Sequence, residues 1–545
     1  MKQLHSLPKL VTVLTLLLFV TTAIGQGNII VGDLYNLANY GSSNGISAFS
    51  VGTTSCNLGD QPVPWVSSTN NHPTIALNMY RLENGQFEQV GMSWLKHGFL
   101  ALSGSVCTPC QGPGGSQLDP GCSDPYSASL NGSQSNLGPR GEVNASNGYF
   151  PYPPANPSYA TTIGRRIQVN NSDLTSSAST RYFVEGHYIS SYDSSVNNDE
   201  DNASYREVDV SGSGSNYSIA FSSGSSTERQ NPAIQAWATI DPAVTISYVD
   251  IPGDGRFTVA YKVTPIGGGN YHWEFAVHNL NSHDSGRSFS VPLPAGAVVS
   301  NVGFHGIAHH SNDGEGGGVY SSANWTSSVN NSAVTWQTST FAQDPLANAL
   351  RWSTLYNFRF DCNMAPTGIV SATIGLFRSG GALNVPPVMD IGQANTPDAA
   401  LRVSGAMSAN NYPPADGYNG PFFVSLAAGQ QLTMDFASNP NYVFFLLNGP
   451  LNRNNAVFPL FGSLDIGNGG ATNNFGDLAV LLDGANGTSF LDTLARVGSS
   501  GYQSISVPIG VGVSAGLLGT FQCAMFDQTN TATLKFSAAT EITIQ

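Results

Sequence analysis

Apolar and polar residues alternate along much of this chain, and the alternation predicts β-strands. Apolar side chains recur at every second position of Phe257–Val263 and of Tyr271–Val277, with a Pro-Ile-Gly-Gly-Gly-Asn turn between the two runs. Because successive side chains of a strand point to opposite faces, this pattern predicts a β-hairpin with one apolar face. Runs with helical spacing are scarce, since Gly, Pro or Asn interrupts most of them. We therefore expect an all-β protein with little helix.

Turn-rich segments divide the predicted strands into units. The chain has 545 residues, whereas a single hydrophobic core stops growing near about 250–300 residues. We predict a multidomain all-β fold of antiparallel β-sandwiches, with long loops in the N-terminal region. The predicted units are a loop-rich β domain with a cysteine cluster over 26–230, a β-sandwich domain over 235–380, and a C-terminal β-sandwich module over 390–545.

The first 25 residues have the pattern of a secretory signal peptide. Lys2 and Lys9 accompany an apolar run, Leu10–Val20, and Ala23-Ile24-Gly25 offers small side chains for cleavage. The apolar run is shorter than the roughly 20 residues that span a bilayer. We expect a secreted or cell-surface protein that has no transmembrane anchor after cleavage.

Composition narrows the choice of partner. Charged residues make up only 10% of the chain, and its formal net charge is −15. Nucleic acids and anionic membranes bind basic patches, so neither is an expected partner. A surface rich in Ser, Thr, Asn and Gly suits extracellular glycans or other cell-envelope components. Four tryptophans are candidates for stacking on sugars, although a core position suits each of them better: Trp94, Trp237, Trp273 and Trp325.

The cysteine count is even. In an exported chain the expected state of these residues is the disulfide, with the pairing left open. A zinc site built on Cys107-x2-Cys110 with two further thiolates is the alternative. The disulfide candidates are Cys56, Cys107, Cys110, Cys122, Cys362 and Cys523.

Side chains suited to acid–base chemistry concentrate between positions 97 and 142. The candidate catalytic residues are His97, Asp124, Tyr126, Arg140 and Glu142, with Glu185 and His187 on a later strand. Glycoside cleavage needs two carboxyl groups about 5–9.5 Å apart, and surface carboxylates with loop-pinning arginines explain the same residues. A secreted polysaccharide-active enzyme, a hydrolase or lyase with a catalytic N-terminal region, is therefore an alternative function.

Histidines and acidic loops raise the question of metals. Strand periodicity places His272, Glu274 and His278 on one face, and further histidines follow near Asp313. Imidazole and carboxylate are ligands for Zn²⁺ or Cu²⁺, and the acidic loops 197–202 and 250–254 offer oxygen ligands for Ca²⁺. Solvated side chains explain both patterns as well, so a metalloprotein is the second alternative and no cofactor is certain. The candidate metal ligands are His272, His278, His305 and His310.

Three motifs carry a resemblance to other proteins: Gly91–His97, Gly121–Ser127 and Arg351–Asp361. In these motifs the chain resembles a group of large exported bacterial all-β proteins of unassigned function. Its last third is similar to the β-sandwich modules in which such proteins often end. The resemblance implies an exported all-β protein and transfers no catalytic residue. We therefore favour an extracellular or cell-surface protein with a binding or structural role, and glycans as its ligands.

Overall fold

The computed structural model describes residues 26–363 apart from 99, 176, 178, 252, 294, 295 and 331. Beyond 363 it describes 369–370, 372–384, 389–390, 400–403, 406–408, 422–426, 431–438, 442–458, 462–466, 479–483, 495–496, 502–509, 514, 516–527, 530–537 and 539–544. The predicted signal peptide, 1–25, lies outside the described residues. Strands dominate, which confirms the predicted all-β class.

A large antiparallel sheet forms the first region, in the order β1-β2-β10-β5-β4-β11-β12-β13. Three further strands belong to it, because β6 pairs with β4, β8 with β2 and β9 with β6. The central strands β2, β4 and β11 are buried along almost their whole length, and one hydrophobic core of this region includes Val31, Phe49 and Val184. The strands are β1 (Ile29–Ser43), β2 (Ile46–Asn57), β3 (Val63–Pro64), β4 (Thr74–Glu83), β5 (Gln86–Met92), β6 (Leu95–His97), β7 (Gln117–Leu118), β8 (Ser123–Tyr126), β9 (Leu137–Gly138), β10 (Ile167–Asn170), β11 (Arg181–Ile189), β12 (Ala203–Ser213) and β13 (Asn216–Phe221).

The described helices are short. The longest, α3, has six residues, so no helix in the described part of the chain is long enough to cross a membrane. The helices are α1 (Ala128–Asn131), α2 (Ser191–Ser195) and α3 (Gln235–Ile240), and 3₁₀ turns occur at Gln134–Asn136, Arg140–Glu142, Asn171–Asp173 and Glu315–Gly317.

The two edges of the first sheet lie against each other through side chains. The backbone N–H of Ile219 in β13 donates to Asn39 Oδ1 of β1 at 2.8 Å, and Asn39 Nδ2 donates to the Ile219 carbonyl at 3.4 Å. Nearby, Thr227 Oγ1 accepts from Leu34 N at 2.9 Å, and Arg206 donates to the Leu34 carbonyl at 2.8 Å. Side chains therefore occupy hydrogen-bonding positions that a neighbouring strand would otherwise fill.

The middle region is a β-sandwich of two five-stranded sheets, β14-β15-β16-β21-β18 and β19-β20-β17-β23-β24. The predicted hairpin is β15–β16, in which Val259 pairs with Val277 and Tyr261 with Phe275. The strands are β14 (Thr245–Ile251), β15 (Gly255–Gly267), β16 (Asn270–Asn279), β17 (Gly286–Pro292), β18 (Val299–His305), β19 (Thr326–Val329), β20 (Ala333–Gln337), β21 (Thr354–Cys362), β22 (Ile369–Val370), β23 (Thr373–Leu376) and β24 (Ala382–Asn384).

Aromatic rings fill the sandwich core. Phe358 is fully buried, and its ring centroid lies 4.8 Å from that of Phe289 and 5.4 Å from that of Trp336. The four tryptophans considered for sugar stacking are also core residues, because Trp94, Trp237, Trp273 and Trp325 are exposed by only 2%, 0%, 1% and 5%. Large apolar rings gain more from burial than from a solvent-facing position.

The third region contains two more packed sheets, β27-β26-β29-β34 and β28-β37-β35-β30-β33, with β36 beside β35. Phe436 and Phe444 stack between them with centroids 4.1 Å apart. The strands are β25 (Met389–Asp390), β26 (Ala400–Val403), β27 (Ala406–Ser408), β28 (Phe422–Leu426), β29 (Gln431–Ala437), β30 (Val443–Gly449), β31 (Leu451–Phe458), β32 (Gly462–Ile466), β33 (Ala479–Asp483), β34 (Tyr502–Pro508), β35 (Gly516–Asp527), β36 (Asn530–Phe536) and β37 (Thr540–Ile544).

The first sheet and the middle sandwich share a hydrophobic cluster. It joins Tyr80 and Phe87 of the first sheet to Trp237 of α3 and to Ala276 and Leu355 of the sandwich. Residues on both sides of the boundary between 230 and 235 therefore bury surface against each other. The predicted domain boundaries stay a prediction, and this cluster leads us to expect that the two regions unfold together.

Four of the six cysteines form disulfides. Cys56 pairs with Cys107 and Cys110 with Cys122, which ties the start of the long loop 107–159 to β2 and to itself. Because their sulfurs are bonded to each other, these residues offer no thiolates for the alternative zinc site. The disulfide expectation is wrong for the last two, since Cys362 is buried in the sandwich core and Cys523 in the C-terminal core.

Candidate functional site

Arg140 lies at the centre of a buried polar network between the first sheet and the sandwich. The 3₁₀ turn Arg140–Glu142 directs its guanidinium inward, where Nε donates to the Ser93 carbonyl at 2.6 Å and Nη2 to the Leu77 carbonyl at 3.1 Å. Further bonds reach Asn78 Oδ1 at 2.9 Å and the Ser353 carbonyl at 3.3 Å. Burial lowers the pKa of Arg140 to about 10, against the opposing charge of Asp313. Its donors are used to hold the two regions together.

Glu185 belongs to the same network. Its Oε1 accepts from Asn78 Nδ2 at 2.8 Å and from the Tyr80 hydroxyl at 3.0 Å, and its Oε2 accepts from Ala233 N at 2.7 Å. Burial raises the pKa of Glu185, and the three hydrogen bonds oppose that shift. The Glu185 carboxyl is fully buried, and all of these donors come from other segments. It therefore joins β11 to β4 and to the chain just before α3.

His187 faces Ser353 across the junction. Its Nδ1 lies 3.2 Å from Ser353 Oγ, which also accepts from Asn78 Nδ2 at 2.8 Å. Ser353 has a left-handed backbone, with φ at 56°, and both residues are fully buried. Burial lowers the pKa of His187 to about 3, so this imidazole is neutral. The serine–histidine pair has no exposed surface that a substrate could contact.

A cavity of about 20 Å³ lies beside Arg140, between the two regions. Three guanidinium groups line it, from Arg140, Arg351 and Arg378, together with Asp313 and His283. The whole chain has only 20 Lys and Arg residues and a net charge of −15. The cavity therefore gathers positive charge in a molecule that is otherwise acidic.

Two carboxyl groups balance part of this charge. Asp313 Oδ1 accepts from the backbone N–H of Arg140 at 2.6 Å, and burial raises the pKa of Asp313 to about 7 against the opposing effect of Arg140. Glu315 is paired with Arg378 Nη2 and lies 3.8 Å from Arg351 Nη1. Glu185, whose charge also interacts with that of Arg140, is a third carboxyl group close to these guanidinium groups.

Arg351 is held in place from several sides. Its guanidinium lies over the Tyr320 ring at 3.6 Å and over the Phe377 ring at 5.1 Å. Its Nη2 donates to the carbonyls of Pro345 at 2.8 Å and Ala347 at 3.2 Å. Within the described residues its buried Nε has no hydrogen-bond partner. Arg351 therefore brings a fixed cation to the cavity lining, while its Nε is buried.

The segment 144–159 is anchored next to this cavity. Its Phe150 packs in one cluster with Val143 and Trp352, and both of these line the cavity. Its Ala155 N–H donates to Glu142 Oε2 at 3.0 Å. The segment is thus fixed to the same 3₁₀ turn that carries Arg140.

Three tyrosine rings of this segment face solvent, and we call them the tyrosine surface: Tyr149, Tyr152 and Tyr159. Their side chains are 58%, 41% and 39% exposed. The Arg165 guanidinium lies over the Tyr159 ring at 4.3 Å, and the His72 ring lies 6.3 Å from the Tyr152 ring. Tyr159 and Tyr152 thus expose rings that also contact the buried side chains of Arg165 and His72.

The other predicted catalytic residues lie apart from the cavity lining. His97 packs against the Phe150 ring at 4.8 Å, and burial lowers its pKa to about 3. Asp124 Oδ1 accepts from Leu102 N at 3.0 Å, and burial raises its pKa to about 6. Tyr126 is buried on β8. Of the predicted set, Arg140 lines the cavity, and a catalytic role for these residues stays a prediction.

The histidines proposed as metal ligands have other surroundings. His272 lies between two carboxylates, with Nδ1 2.7 Å from Asp361 Oδ1 and Nε2 3.4 Å from Glu274 Oε2. Glu274 and then Asp361 raise the pKa of His272 against the effect of burial. The described residues contain no group of three or more His, Cys, Asp or Glu side chains arranged for a metal. His278 and His310 are buried, and His305 ends β18.

The two acidic loops considered for calcium meet at an arginine. Arg256 Nε lies 2.5 Å from Asp250 Oδ1, and its Nη2 lies 3.1 Å from Glu200 Oε2. These carboxylates raise the pKa of Arg256 despite its burial. Arg256 supplies at this place the positive charge that a calcium ion would bring.

No family model matches the chain, and no curated protein matches its sequence. Among solved structures, it is similar to the C-terminal domain of the AgI/II polypeptide BspA of Streptococcus agalactiae, at 12% identity over 55% of this chain and 99% of that one, with a TM-score of 0.13. The C-terminal domain of the antigen I/II-family protein AspA of Streptococcus pyogenes gives 10% identity, coverage of 55% and 98%, and a TM-score of 0.12. TM-scores this low carry no argument about fold or function.

Proposed function

We propose that this is an extracellular or cell-surface protein that binds glycans through the tyrosine surface. One observation carries the proposal: Tyr149, Tyr152 and Tyr159 expose their rings within one short segment. The carbon–hydrogen faces of sugar rings pack on aromatic rings, whose phenolic hydroxyls bond to sugar hydroxyls. Export itself is part of the proposal, and the two disulfides support it.

The hydrogen bonds of Arg165, which contacts Tyr159, support a binding role for the tyrosine surface. Arg165, which lies over Tyr159, donates to the Gln134 carbonyl at 2.8 Å, the Leu137 carbonyl at 3.1 Å and Asn156 Oδ1 at 2.8 Å. A surface fixed before the ligand arrives loses less conformational entropy on binding. The polysaccharide-active enzyme and the metalloprotein stay predictions, because no comparable surface among the described residues supports them.

The test is a glycan array followed by titration of the glycans that bind. We expect the triple variant Tyr149→Ala, Tyr152→Ala, Tyr159→Ala to bind about tenfold or more weakly, since it removes all three rings together and a tenfold loss needs only about 1.4 kcal/mol. The matched control is Tyr35→Ala, which removes a ring that is 37% exposed on β1. Equal binding by the triple variant and the wild type would contradict the proposal. Release of reducing ends from a polysaccharide would favour the enzyme instead.

A further inference from the structure

We propose that a loop of the first region docks on a lipid bilayer whose headgroups carry no net charge. The loop presents Leu100, Leu102 and Val106, whose side chains are 56%, 57% and 48% exposed. We call these three residues the aliphatic loop. They share no residue with the tyrosine surface, so this inference goes beyond the proposed function.

The backbone directs the two leucines of the aliphatic loop outward. Ala101 N donates to the Gly115 carbonyl at 2.7 Å, and Gly115 N donates to the Ala101 carbonyl at 2.8 Å. This bridge holds an extended backbone in which Ala101, only 4% exposed, points into the core of the first region. Neighbouring side chains of an extended chain point the opposite way. Leu100 and Leu102 therefore face solvent together.

Strand β8 and a disulfide fix the rest of the loop. Leu102 N donates to Asp124 Oδ1 at 3.0 Å, and Val106 N donates to Ser123 Oγ at 3.1 Å. Two adjacent residues of β8 thus hold both ends of this short stretch. Cys107, which follows directly, is joined to β2 by its disulfide. An apolar surface that is fixed in advance loses little conformational entropy when it binds.

The aliphatic loop lies in an uncharged stretch of the chain. From position 98 to position 118 the sequence contains no Asp, Glu, Lys, Arg or His. The next two carboxyl groups, Asp119 and Asp124, are 5% and 1% exposed, and each accepts a backbone N–H of this stretch. An apolar surface without charge matches uncharged headgroups, whereas the net charge of −15 opposes anionic ones.

The size of the aliphatic loop favours a bilayer over a protein partner. Three half-exposed aliphatic side chains offer far less surface than the about 800 Å² per partner of a standard protein interface. A bilayer needs no complementary shape, because every apolar carbon that enters the acyl region adds to binding. The three side chains carry fewer carbons than a myristoyl chain, which binds with an association constant of roughly 10⁴ M⁻¹. We therefore expect weak and reversible docking.

The test is flotation of the chain from residue 26 to residue 545 with phosphatidylcholine vesicles, over a range of lipid concentrations up to the millimolar level. We expect the wild type to bind these vesicles with little dependence on salt, because the contact is apolar. Replacing part of the lipid by phosphatidylglycerol should not strengthen binding, since the protein is acidic.

A triple serine variant tests the residues themselves: Leu100→Ser, Leu102→Ser and Val106→Ser. It should bind phosphatidylcholine vesicles about tenfold or more weakly, because polar side chains do not enter the acyl region. The matched control removes three aliphatic side chains of the middle region that are 65%, 53% and 50% exposed, and it should bind like the wild type: Val298→Ser, Val319→Ser and Val329→Ser. If the triple serine variant fails to fold, Leu102→Ser alone decides, since this side chain is the most exposed of the three.

Three results with vesicles would overturn the inference. They are absence of wild-type binding to phosphatidylcholine, equal binding by the triple serine variant and the wild type, and binding that requires phosphatidylglycerol and disappears in salt. Leu100→Met with Leu102→Met should retain binding, because a bilayer accepts apolar side chains of any shape. Loss of binding in this variant would indicate a partner with a complementary surface.

Sedimentation velocity without lipid tests a second copy of the chain as the occupant of the aliphatic loop. We expect the wild type and the triple serine variant to sediment alike. A wild-type dimer that the triple serine variant no longer forms would assign the loop to self-association and overturn the lipid assignment. Glycan binding by the tyrosine surface is unaffected by any of these results, because the two surfaces have no residue in common.

Discussion

The middle sandwich and the first sheet are stabilised by different kinds of interaction. In the sandwich, Phe358 is surrounded by other aromatic rings, and its centroid lies within 5.4 Å of those of Trp325 and Trp336. In the first region, buried polar groups such as Arg140 and Glu185 hold the strands together, and two disulfides secure the long loop. The site lies on the polar side of this division, where side chains have fixed directions.

This difference sets the kind of damage that a substitution does. Apolar burial is non-directional, so a smaller side chain costs stability through lost contacts and the cavity that remains. A buried polar network is directional, so removing one member leaves its partners without hydrogen bonds. Five variants, three with a single substitution and two with a pair of substitutions, should separate the two regions, from the largest effect to the smallest.

Phe358→Ala should have the largest effect. Its ring is fully buried in the sandwich core, and removal of a buried Phe costs about 3–5 kcal/mol of unfolding free energy. Urea denaturation followed by tryptophan fluorescence measures the loss. Val329→Ala, in the same region but 50% exposed, should change the value by less than about 0.5 kcal/mol. Similar losses for both variants would mean that the aromatic core does not dominate the stability of the sandwich.

The disulfides of the first region should follow, and they should differ from each other. Cys56–Cys107 spans 51 residues and Cys110–Cys122 spans 12. The entropy of loop closure gives about 4 kcal/mol for the longer span and about 3 kcal/mol for the shorter one. Paired Cys→Ser variants of each bond, measured by the same denaturation, test the order. Greater destabilisation by loss of the shorter loop would show that strain or residual structure in the unfolded state outweighs chain entropy.

Arg140→Met tests the polar junction. The methionine retains the apolar stem but leaves the acceptors of Ser93, Leu77 and Asn78 without their donor. We expect a loss of about 2–3 kcal/mol. Arg181→Met removes a more exposed arginine paired with Glu207 and should cost less than about 1 kcal/mol. If the two variants lose the same amount, the junction depends on the apolar cluster around Trp237 rather than on Arg140.

His272 should give the smallest effect, and it depends on pH. Glu274 and Asp361 raise its pKa above the ordinary 6.5. Its contribution is therefore fully present below about pH 6.5 and is lost as pH rises through the higher pKa of the folded state. For a pair this exposed we expect under about 1 kcal/mol. Unfolding midpoints of the wild type and His272→Gln, compared from about pH 5 to about pH 9, should converge at the alkaline end. A constant difference across that range would exclude the charged pair as its cause.

Local patterns in the sequence predicted the strands well, but they could not predict contacts between segments that lie far apart in the chain. The alternation around Tyr261 and Phe275 was sufficient because the two runs pair across a short turn. The junction joins Arg140 to Ser353 across 213 residues, and no periodicity encodes such a contact. Cysteine spacing left the pairing open, and it could not show that Cys362 and Cys523 belong to different cores.

The candidate site was found only in part. Arg140 was singled out, but Arg351 and Arg378 were not, although the low number of basic residues was a signal that each buried arginine has a specific task. The four tryptophans lie in the core, the position that suits them better in the sequence analysis, and composition did not reveal that tyrosines would be the exposed rings. The run Tyr149–Tyr159, with its many prolines, was the available signal, since proline-rich segments form surface loops.

The contact between Asn39 and Ile219 has a consequence for association between molecules. An open strand edge invites pairing with another chain. Here the carboxamide of Asn39 takes both backbone groups of Ile219, and Arg206 and Thr227 cover the edge at Leu34. These side chains therefore block the pairing of another chain with the two edges of the first sheet at this place. Strand exchange between copies would have to begin elsewhere, for instance along the exposed edge strand β19.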